Sequence, residues 1–339
     1  MQVVRVTDQT GFDSLVIQEE NIPALGRRDA LIRVHAASLN FRDMAFAYGQ
    51  YPGVIRENPV PLSDGAGEVI AVGSDVTRVR IGDRVTATCN TDWIGGPFIA
   101  QYHHQSIGFS IDGMLSECSL IHENALVNIP DYLSYEEAAC LSCAAVSAWS
   151  ALTIAEPLLP GQTVLIQGTG GVALFGLQIA KMFGARVLAI TSSADKAQRL
   201  TALGADAVVN YNDDPQWGEA ILKLTDGRGV DKVIEIAGES TIRQSVACTR
   251  YGGEIGQVGF VSGVGGGLPP IEILKKSITI KGIAMGPRLT LEALLTAMQV
   301  SKMHPVVDSV YPFAEYKSAF RRLESAKHVG KVVIKGVGL

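Results

Sequence analysis

Residues 163–173 read TVLIQGTGGVA, and this stretch decides the fold of the chain around it. Its first four residues are β-branched or aliphatic and the fifth is Gln167, a run typical of a strand buried on both faces, and an apolar helix is predicted over 172–183. Glycines between two such elements let backbone N–H groups approach a pyrophosphate, whose charge the helix N-terminus stabilises. The stretch therefore predicts a dinucleotide-binding turn, with cofactor contacts from Gly168, Thr169, Gly170, Gly171 and Val172.

Strands and helices alternate from this turn onward. The predicted strands are 186–190, 207–210, 232–236 and 253–257, and the predicted helices are 194–203, 217–224 and 241–249. Such alternation predicts an α/β fold with a parallel, doubly wound sheet.

The end of the second strand bears on which dinucleotide is bound. NAD sites usually place an acidic residue there to hold the ribose 2′-hydroxyl, whereas this chain has Thr191, Ser192 and Ser193, with Lys196 just beyond. Hydroxyls and an ammonium would bind a 2′-phosphate, and Tyr211 after the third strand could cover the adenine or reach the same phosphate. We therefore expect NADP(H), with NAD(H) as the alternative. One of the serines could instead be a helix N-cap.

The sequence on either side of this region has a different pattern of apolar and polar residues. Residues 1 to about 135 contain short alternating runs such as ALIRVHA (30–36) between long loops, which favours an irregular antiparallel fold. After about residue 287, helices at 291–300 and 313–325 and a strand at 331–335 close the chain. We expect that these closing elements can rejoin the first part.

Composition and charge exclude several classes of function. With 29 Lys and Arg against 34 Asp and Glu, the formal net charge is −5, so nothing attracts the chain to nucleic acid or to an anionic membrane. Residues 138–155 are uncharged but rich in serine and small side chains, which favours a buried helix over a membrane span. The odd count of five cysteines and the lack of a secretory leader point to a reducing, cytoplasmic location.

The sequence offers no convincing metal site. Cys140 and Cys143 form a CxxC, but no second cysteine pair and no nearby histidine completes it, so two buried cysteines are the simpler interpretation. His103 and His104 lie in a glycine-rich loop, where solvated side chains are expected.

Six motifs give the chain a family resemblance over nearly its whole length. They are SLNFRD (38–43), LSDGAGEVIAVG (62–73), GDRV (82–85), LSCAAVSAWSAL (141–152), GTGGVA (168–173) and HVGKVVI (328–334). On these motifs the chain resembles the medium-chain dehydrogenase/reductase superfamily. The resemblance implies a GroES-like, mostly β catalytic domain over residues 1–143, completed by 287–339, and a Rossmann domain over 144–286. It also implies a homodimer.

The resemblance is to the zinc-independent branch of that superfamily, which holds quinone oxidoreductases, enoyl reductases and alcohol dehydrogenase-like proteins. Asn40 stands where the zinc members have their first cysteine ligand, and Ser63 and Asp64 stand where they have the ligand histidine and the following glutamate. Cys143 alone matches a zinc-ligand position, and the structural zinc lobe is missing. Zinc is therefore not expected as a cofactor. The same resemblance places Ser147, Val258, Gly259 and Phe260 around the nicotinamide.

Without a metal, hydrogen-bond donors must stabilise the charge that develops on a substrate oxygen. A conjugated acceptor spreads that charge, so the sequence favours NADPH-dependent reduction of an activated C=C or of a quinone, with a small-molecule substrate. Asn40 and Tyr51 would orient the substrate or stabilise the enolate, Asp64 would assist in the same pocket, and Trp93 would line it.

Simpler structural roles remain open for these residues. Asn40 could be a backbone-bonding turn residue, Tyr51 could only pack in its loop, and Asp64 could only hydrogen-bond within the empty zinc pocket. Arg42 and Asp43 could pair with each other. Two further functions also remain open: a zinc-free alcohol or carbonyl dehydrogenase, and a cofactor-binding protein with a structural or regulatory role and little turnover.

Overall fold

The computed structural model describes residues 1–336, which divide into two compact units. Unit 1 comprises Met1–Val146 and the chain from Gly286 onward, and unit 2 comprises Ser147–Met285. Among the described residues, no helix is both long and apolar enough to cross a membrane.

The first part of unit 1 is mostly β-structure. Its strands are β1 (Gln2–Val6), β2 (Leu15–Glu19), β3 (Asp29–Ser38), β4 (Asp64–Val72), β5 (Arg84–Ala87), β6 (Cys118–His122) and β7 (Leu126–Asn128). Its helices are α1 (Phe41–Ala47) and α2 (Tyr135–Ala138), with a π-helical turn at Leu141–Ala145 and 3-10 turns at Phe12–Ser14, Ala100–Gln105 and Glu123–Ala125.

Unit 2 alternates strand and helix as predicted. In chain order its elements are α3 (Val146–Leu152), β8 (Thr163–Gln167), α4 (Gly171–Met182), β9 (Arg186–Thr191), α5 (Ala194–Ala202), β10 (Ala207–Asn210), α6 (Trp217–Leu224), β11 (Val230–Glu235), α7 (Ile242–Cys248), β12 (Thr249–Gln257), α8 (Pro270–Lys276) and β13 (Thr279–Gly282). The strands form one parallel sheet in the order β10-β9-β8-β11-β12-β13. This is the strand order of a Rossmann fold, so the predicted fold class is confirmed.

The chain then returns to unit 1 with α9 (Arg288–Ser301), β14 (Val307–Pro312), a 3-10 turn at Phe313–Glu315, α10 (Tyr316–Glu324) and β15 (Lys331–Lys335). β15 pairs antiparallel with β3 and parallel with β14, in a sheet of order β14-β15-β3-β4-β5-β7, and β6 also pairs with β3. The closing strand therefore completes the sheet of the first part.

The predicted continuous helix over 138–155 is wrong in one respect, because the helix is broken. α2 ends at Ala138, a π-helical turn follows, and α3 resumes at Val146. The Cys140 thiol donates to the Glu136 carbonyl oxygen (3.2 Å), and the Cys140 N–H donates to the Glu137 carbonyl oxygen (3.1 Å). The Cys140 N–H thus bonds three residues back and not four, and the π-helical turn that follows contains Cys143; such turns are frequent at functional sites.

Candidate functional site

The glycine turn of unit 2 has the geometry that its sequence predicts. Gly168 has φ +75°, the left-handed conformation that glycine tolerates, and its N–H donates to the Ile190 carbonyl oxygen (2.7 Å). Gly170 is the N-cap residue of α4, and the first intrahelical bond runs from the Leu174 N–H to its carbonyl oxygen. The first N–H groups of a helix have no partner inside the helix, so they are available to an anion.

Close packing fixes where this helix end lies against the sheet. A Cβ on Gly176 would lie 2.4 Å from Cδ1 of Ile234, so a larger residue there would require the end of the Ile234 side chain to move. Ala173, at the last position of the glycine motif, is fully buried. The turn is therefore held between a buried strand and a closely packed helix, as a pyrophosphate site requires.

The residues expected at the ribose 2′-position lie at the ends of β9 and β10, which are neighbours in the sheet. Thr191 pairs with Asn210, and the Tyr211 N–H donates to the Thr191 carbonyl oxygen (2.9 Å). The Thr191 hydroxyl is buried and has no hydrogen-bond partner among residues 1–336, whereas Tyr211 is exposed. This strand end therefore offers a buried hydroxyl that can still make a hydrogen bond.

The two serines at this end have different structural roles. Ser193 is the N-cap of α5, and its hydroxyl accepts from the Lys196 N–H (3.4 Å), so the N-cap interpretation holds for Ser193. The Ser192 carbonyl oxygen accepts from the amide of Asn212 (2.7 Å), a residue that sequence reasoning did not single out. Both serines and Lys196 are partly accessible.

The segment 258–260, predicted near the nicotinamide, is fixed to β11. The N–H groups of Val258 and Gly259 both donate to the Glu235 carbonyl oxygen, at 2.7 and 3.3 Å. A Cβ on Gly259 would lie 2.5 Å from the Ile236 carbonyl oxygen, so glycine is required there. Phe260 follows and is partly exposed. Ser147, the remaining predicted cofactor contact, is almost fully buried in α3.

A buried carboxylate that the sequence did not reveal lies at the end of β11. One oxygen of Glu235 accepts from the N–H groups of Ala237 (3.1 Å) and Gly238 (2.9 Å) and from the Thr241 hydroxyl (2.6 Å). The other accepts from the Gln167 amide (2.7 Å) and the Ser245 hydroxyl (2.5 Å). Five donors satisfy this fully buried group, and three of them tie it to the loop after β11 and the start of α7.

The predicted catalytic residues Asn40 and Asp64 meet in a second buried network, which belongs to unit 1. The Asn40 amide donates to Oδ2 of Asp64 (3.0 Å), and its oxygen accepts from the Lys331 ammonium (2.6 Å). Lys331 also donates to the Leu39 carbonyl oxygen (2.7 Å) and lies 3.5 Å from Oδ2 of Asp64. A buried lysine, which the sequence did not indicate, therefore fixes both predicted residues.

Arg42 and Asp43 at the start of α1 attract each other electrostatically, and each also has other partners. The Arg42 guanidinium donates to the Ser106 hydroxyl (3.0 Å) and lies 4.0 Å from the centre of the Phe109 ring. Oδ2 of Asp43 accepts from the Asn40 N–H (2.8 Å), and its Oδ1 has no hydrogen-bond partner among the described residues. Burial raises the pKa of Asp43 to about 7.

The two predicted aromatic residues pack in different places of unit 1. The ring of Tyr51 lies 5.0 Å from that of Phe109, on which Arg42 also stacks, and burial raises the pKa of its hydroxyl. Trp93 packs within its own loop, where its indole N–H donates to the Gly96 carbonyl oxygen (3.0 Å) and its ring lies 4.9 Å from that of Phe98.

Two thiols and a carboxylate also converge in unit 1. One ligand atom each from Asp64, Cys89 and Cys143 lies within 4.8 Å of the other two, and all three residues are buried. The Cys89 thiol lies 3.7 Å from Oδ1 of Asp64, and its hydrogen bond with Cys143 and its burial raise its pKa well above the usual range. Cys140 bonds elsewhere, and His103 and His104 are exposed, as the sequence suggested.

Sequence reasoning missed Cys89. It lies two residues after β5 and has no partner at metal-ligand spacing. Only the antiparallel pairing of β4 with β5 could have revealed Cys89, because this pairing brings the segment after β5 back beside the start of β4, where Asp64 lies.

Known proteins resemble the chain over almost its whole length. Residues 26–131 match the family described as alcohol dehydrogenase GroES-like domain, and residues 171–300 match zinc-binding dehydrogenase. A zinc-type alcohol dehydrogenase-like protein of Schizosaccharomyces pombe is 38% identical over 333 residues, which cover 96% of each chain. Other relatives are named as alcohol dehydrogenases and as a quinone oxidoreductase-like protein.

Solved structures of other proteins also resemble the chain over almost its whole length. The crystal structure of a putative alcohol dehydrogenase from Sinorhizobium meliloti 1021 superposes with a TM-score of 0.92 at 38% identity and covers 98% of each chain. A mycobacterial protein complexed with NADPH superposes with a TM-score of 0.83 at 28% identity and covers 99% of each chain.

Proposed function

The chain is an oxidoreductase of the medium-chain dehydrogenase/reductase superfamily, and from this premise we propose that it uses NADP(H) to reduce an activated C=C bond or a quinone, without a need for zinc. The proposal is supported by two groups of residues described above, one in each unit. Unit 2 has a glycine turn at a helix N-terminus with hydroxyls and an ammonium at the end of β9. Unit 1 has a dense buried set of polar side chains.

The cofactor fits the residues present in unit 2. The N–H groups at the start of α4 would hold the pyrophosphate, and the segment 258–260 with Ser147 would hold the nicotinamide. When bound, the reduced nicotinamide supplies hydride. The chain's own contribution is rigidity, because the Glu235 carboxylate and the bonds from Val258 and Gly259 fix these segments before any ligand arrives.

The preference for NADP(H) rests on charge at the end of β9. The strand ends in Thr191, Ser192 and Ser193 rather than in an acid, and Lys196 lies in the first turn of α5. A 2′-phosphate would accept hydrogen bonds from these hydroxyls and pair with the ammonium. Asp195 is next to Lys196 and would repel a phosphate. We therefore propose that the attraction of the 2′-phosphate depends on the Lys196 ammonium.

The choice of an activated double bond or quinone rests on charge: a conjugated acceptor spreads the developing negative charge, which the polar set of unit 1 would help to stabilise. Asn40 and Asp64 bond each other and Lys331, so we assign them a positioning role. Tyr51 is the side chain that we place against the substrate oxygen, where its hydroxyl would donate a hydrogen bond as negative charge develops. Trp93, whose indole N–H is held by the Gly96 carbonyl oxygen of its own loop, stays a proposed pocket residue on the family resemblance alone. Water can supply the final proton.

The experiment that tests the proposal is a binding titration with NADPH and NADH, followed by turnover with an enone, a quinone, a ketone and an alcohol. We expect tight NADPH binding and consumption of NADPH with the enone or the quinone. Lys196→Ala should weaken NADPH about tenfold or more while leaving NADH nearly unchanged, since a charge-assisted bond contributes roughly 1.5–3 kcal/mol. Lys223→Ala, an exposed lysine in the last turn of α6, is the matched control.

Three outcomes would contradict parts of the proposal. Equal weakening of NADPH and NADH by Lys196→Ala would refute the 2′-phosphate assignment. Turnover confined to the alcohol and the ketone would favour a carbonyl dehydrogenase. Tight NADPH binding with no turnover on any substrate would favour a role in cofactor binding alone.

We also propose that the protein is a homodimer, as the family resemblance implies. β13 is the last strand of the sheet in unit 2 and is largely exposed, so its free edge can pair with another chain. Sedimentation equilibrium of the purified protein would test this, and a monomer at micromolar concentration would contradict it.

A further inference from the structure

We infer that Arg42 is a positioning residue of the proposed reaction: its buried guanidinium acts through Tyr51 on the negative charge that develops at the substrate oxygen. The inference rests on the proposed function, which places the Tyr51 hydroxyl against that oxygen and gives Arg42 no role. Arg42 lies in the first turn of α1 and is 8% exposed.

Three side chains hold the guanidinium beside the Tyr51 ring. Its Cζ lies 5.3 Å from the centre of the Tyr51 ring and 4.0 Å from the centre of the Phe109 ring. The centres of these two rings are 5.0 Å apart, and the guanidinium donates to the Ser106 hydroxyl (3.0 Å). Two rings and a hydroxyl are uncharged, so these contacts fix the cation in place without neutralising it.

The Tyr51 hydroxyl is also the strongest electrostatic partner of this cation. Burial by itself would lower the pKa of Arg42, but attraction to four neighbours raises that pKa above its usual range. In decreasing order of attraction, these neighbours are Tyr51, Cys143, Cys89 and Asp43. The effect is mutual, because burial raises the pKa of Tyr51 and Arg42 is the largest influence that lowers it.

Two features let the charge of Arg42 act beyond its direct contacts. Water is largely excluded from this side chain, so its field is screened less than that of a surface arginine. The adjacent carboxyl group of Asp43 neutralises it only in part, because burial raises the pKa of Asp43 to about 7. Near neutral pH a share of the molecules therefore has an uncharged Asp43 beside a charged Arg42.

This arrangement gives Tyr51 electrostatic support during the proposed reaction. As a conjugated acceptor is reduced, negative charge grows on its oxygen, to which the Tyr51 hydroxyl donates. A fixed cation beside the phenol strengthens this hydrogen bond as the charge grows, and it contributes less beforehand, when the oxygen is nearly neutral. We therefore expect Arg42 to raise kcat more than it lowers KM.

The first test is a double-mutant cycle between Arg42→Met and Tyr51→Phe, measured as NADPH-dependent reduction of an enone and of a quinone. Arg42→Met should lower kcat about 10- to 100-fold, at or below the cost of removing a direct donor to an oxyanion, and should change KM less than about threefold. Arg42→Lys should recover part of the loss. In the Tyr51→Phe background, Arg42→Met should change kcat less than about threefold, because the charge then has no hydroxyl to act through.

Arg80→Met is the matched control, since it removes an exposed arginine of unit 1 and should keep the wild-type kcat and KM. Circular dichroism and Tm establish that each variant is folded. A purely structural role predicts that Arg42→Met causes the same loss of kcat with and without the Tyr51 hydroxyl. That result would overturn the inference.

A second measurement needs no turnover. We would titrate 4-nitrophenol, whose anion resembles the charged oxygen of a reduced substrate, into the protein with saturating NADP⁺, and follow bound anion and bound neutral phenol by absorbance. Arg42→Met should weaken binding of the anion at least about tenfold and change binding of the neutral phenol little. Equal binding of the anion by wild type and Arg42→Met, including binding by neither, would overturn the role of Arg42. Failure of the wild type to reduce either acceptor would instead refute the proposed function, and the titration would still decide on Arg42.

Discussion

Glu235 should contribute more to the stability of unit 2 than any single surface charge. Its carboxylate is fully buried and accepts five hydrogen bonds. Glu235→Gln is the sharpest perturbation, because it keeps the shape of the side chain and replaces one acceptor oxygen with an NH₂ group. The cost then comes from unsatisfied hydrogen bonds and not from a cavity.

The magnitude follows from the partners. If the new NH₂ group takes the Oε2 position, it faces the Gln167 NH₂ group that lies 2.7 Å from that oxygen. Gln167 cannot reverse its amide freely, since its oxygen accepts from the N–H groups of Ile236 (3.1 Å) and Ala237 (3.3 Å). The Ser245 hydroxyl can rotate and accept, so one donor is left facing another donor. An unsatisfied buried donor and a lost charged hydrogen bond together cost roughly 3 kcal/mol.

The opposite orientation of the new side chain is no better. There the NH₂ group would face the N–H groups of Ala237 and Gly238 and the Thr241 hydroxyl, of which only the hydroxyl can turn round. Both orientations therefore lead to the same expectation, a loss of about 3 kcal/mol from the free energy of unfolding of unit 2.

Urea unfolding followed by tryptophan fluorescence is the assay, because Trp149 and Trp217, two of the three tryptophans, lie in unit 2. Glu219→Gln, an exposed acid in the first turn of α6, is the control and should change stability by less than about 0.5 kcal/mol. If Glu235→Gln changes stability as little as the control does, the reasoning about the buried network is wrong.

Three further outcomes are expected. Burial would raise the pKa of Glu123, but hydrogen bonds from two backbone N–H groups and from Arg28 lower it to about 2. The ionised carboxylate therefore contributes up to about 3 kcal/mol of stability above pH 4.5, and this contribution is lost as the pH falls towards 2. The Glu123→Gln variant should not lose this stability when the pH is lowered. If the stability of the variant depends on acid pH in the same way as that of the wild type, the assignment is wrong. Gly259→Ala places a Cβ 2.5 Å from the Ile236 carbonyl oxygen and should destabilise unit 2 by about 1–3 kcal/mol and weaken NADPH binding; wild-type values for both would refute the close-contact argument. Ser193→Ala removes the N-cap of α5 and should cost about 1 kcal/mol by thermal unfolding, whereas Ser193→Asp should restore it.

The sequence alone determined the elements whose signals are local. β8, β10, α6 and β15 have the same bounds in the structure as in the prediction, because a buried aliphatic run or an amphipathic period ends there at a glycine or polar residue. The glycine turn was predicted for the same reason: turn, strand and helix are all adjacent in the chain.

Elements without a strong local signal were missed. β13 reads TIKG and is largely exposed at the sheet edge, so neither hydrophobic periodicity nor burial marks it as a strand. The break within 138–155 was also missed, because a run of small side chains is compatible with both a regular helix and a π-helical turn. In both cases pairing or packing against distant residues selected the conformation.

The residues that make up the two networks of the candidate site were fixed only by the tertiary structure. The sequence identified Asn40 and Asp64 from a family pattern, but Lys331 reaches them because β15 pairs with β3 almost three hundred residues later in the chain. Cys89 joins Asp64 and Cys143 because β4 and β5 are antiparallel neighbours. A sequence records which donors the chain has, but only long-range strand pairing decides which of them come within a few ångströms of one another.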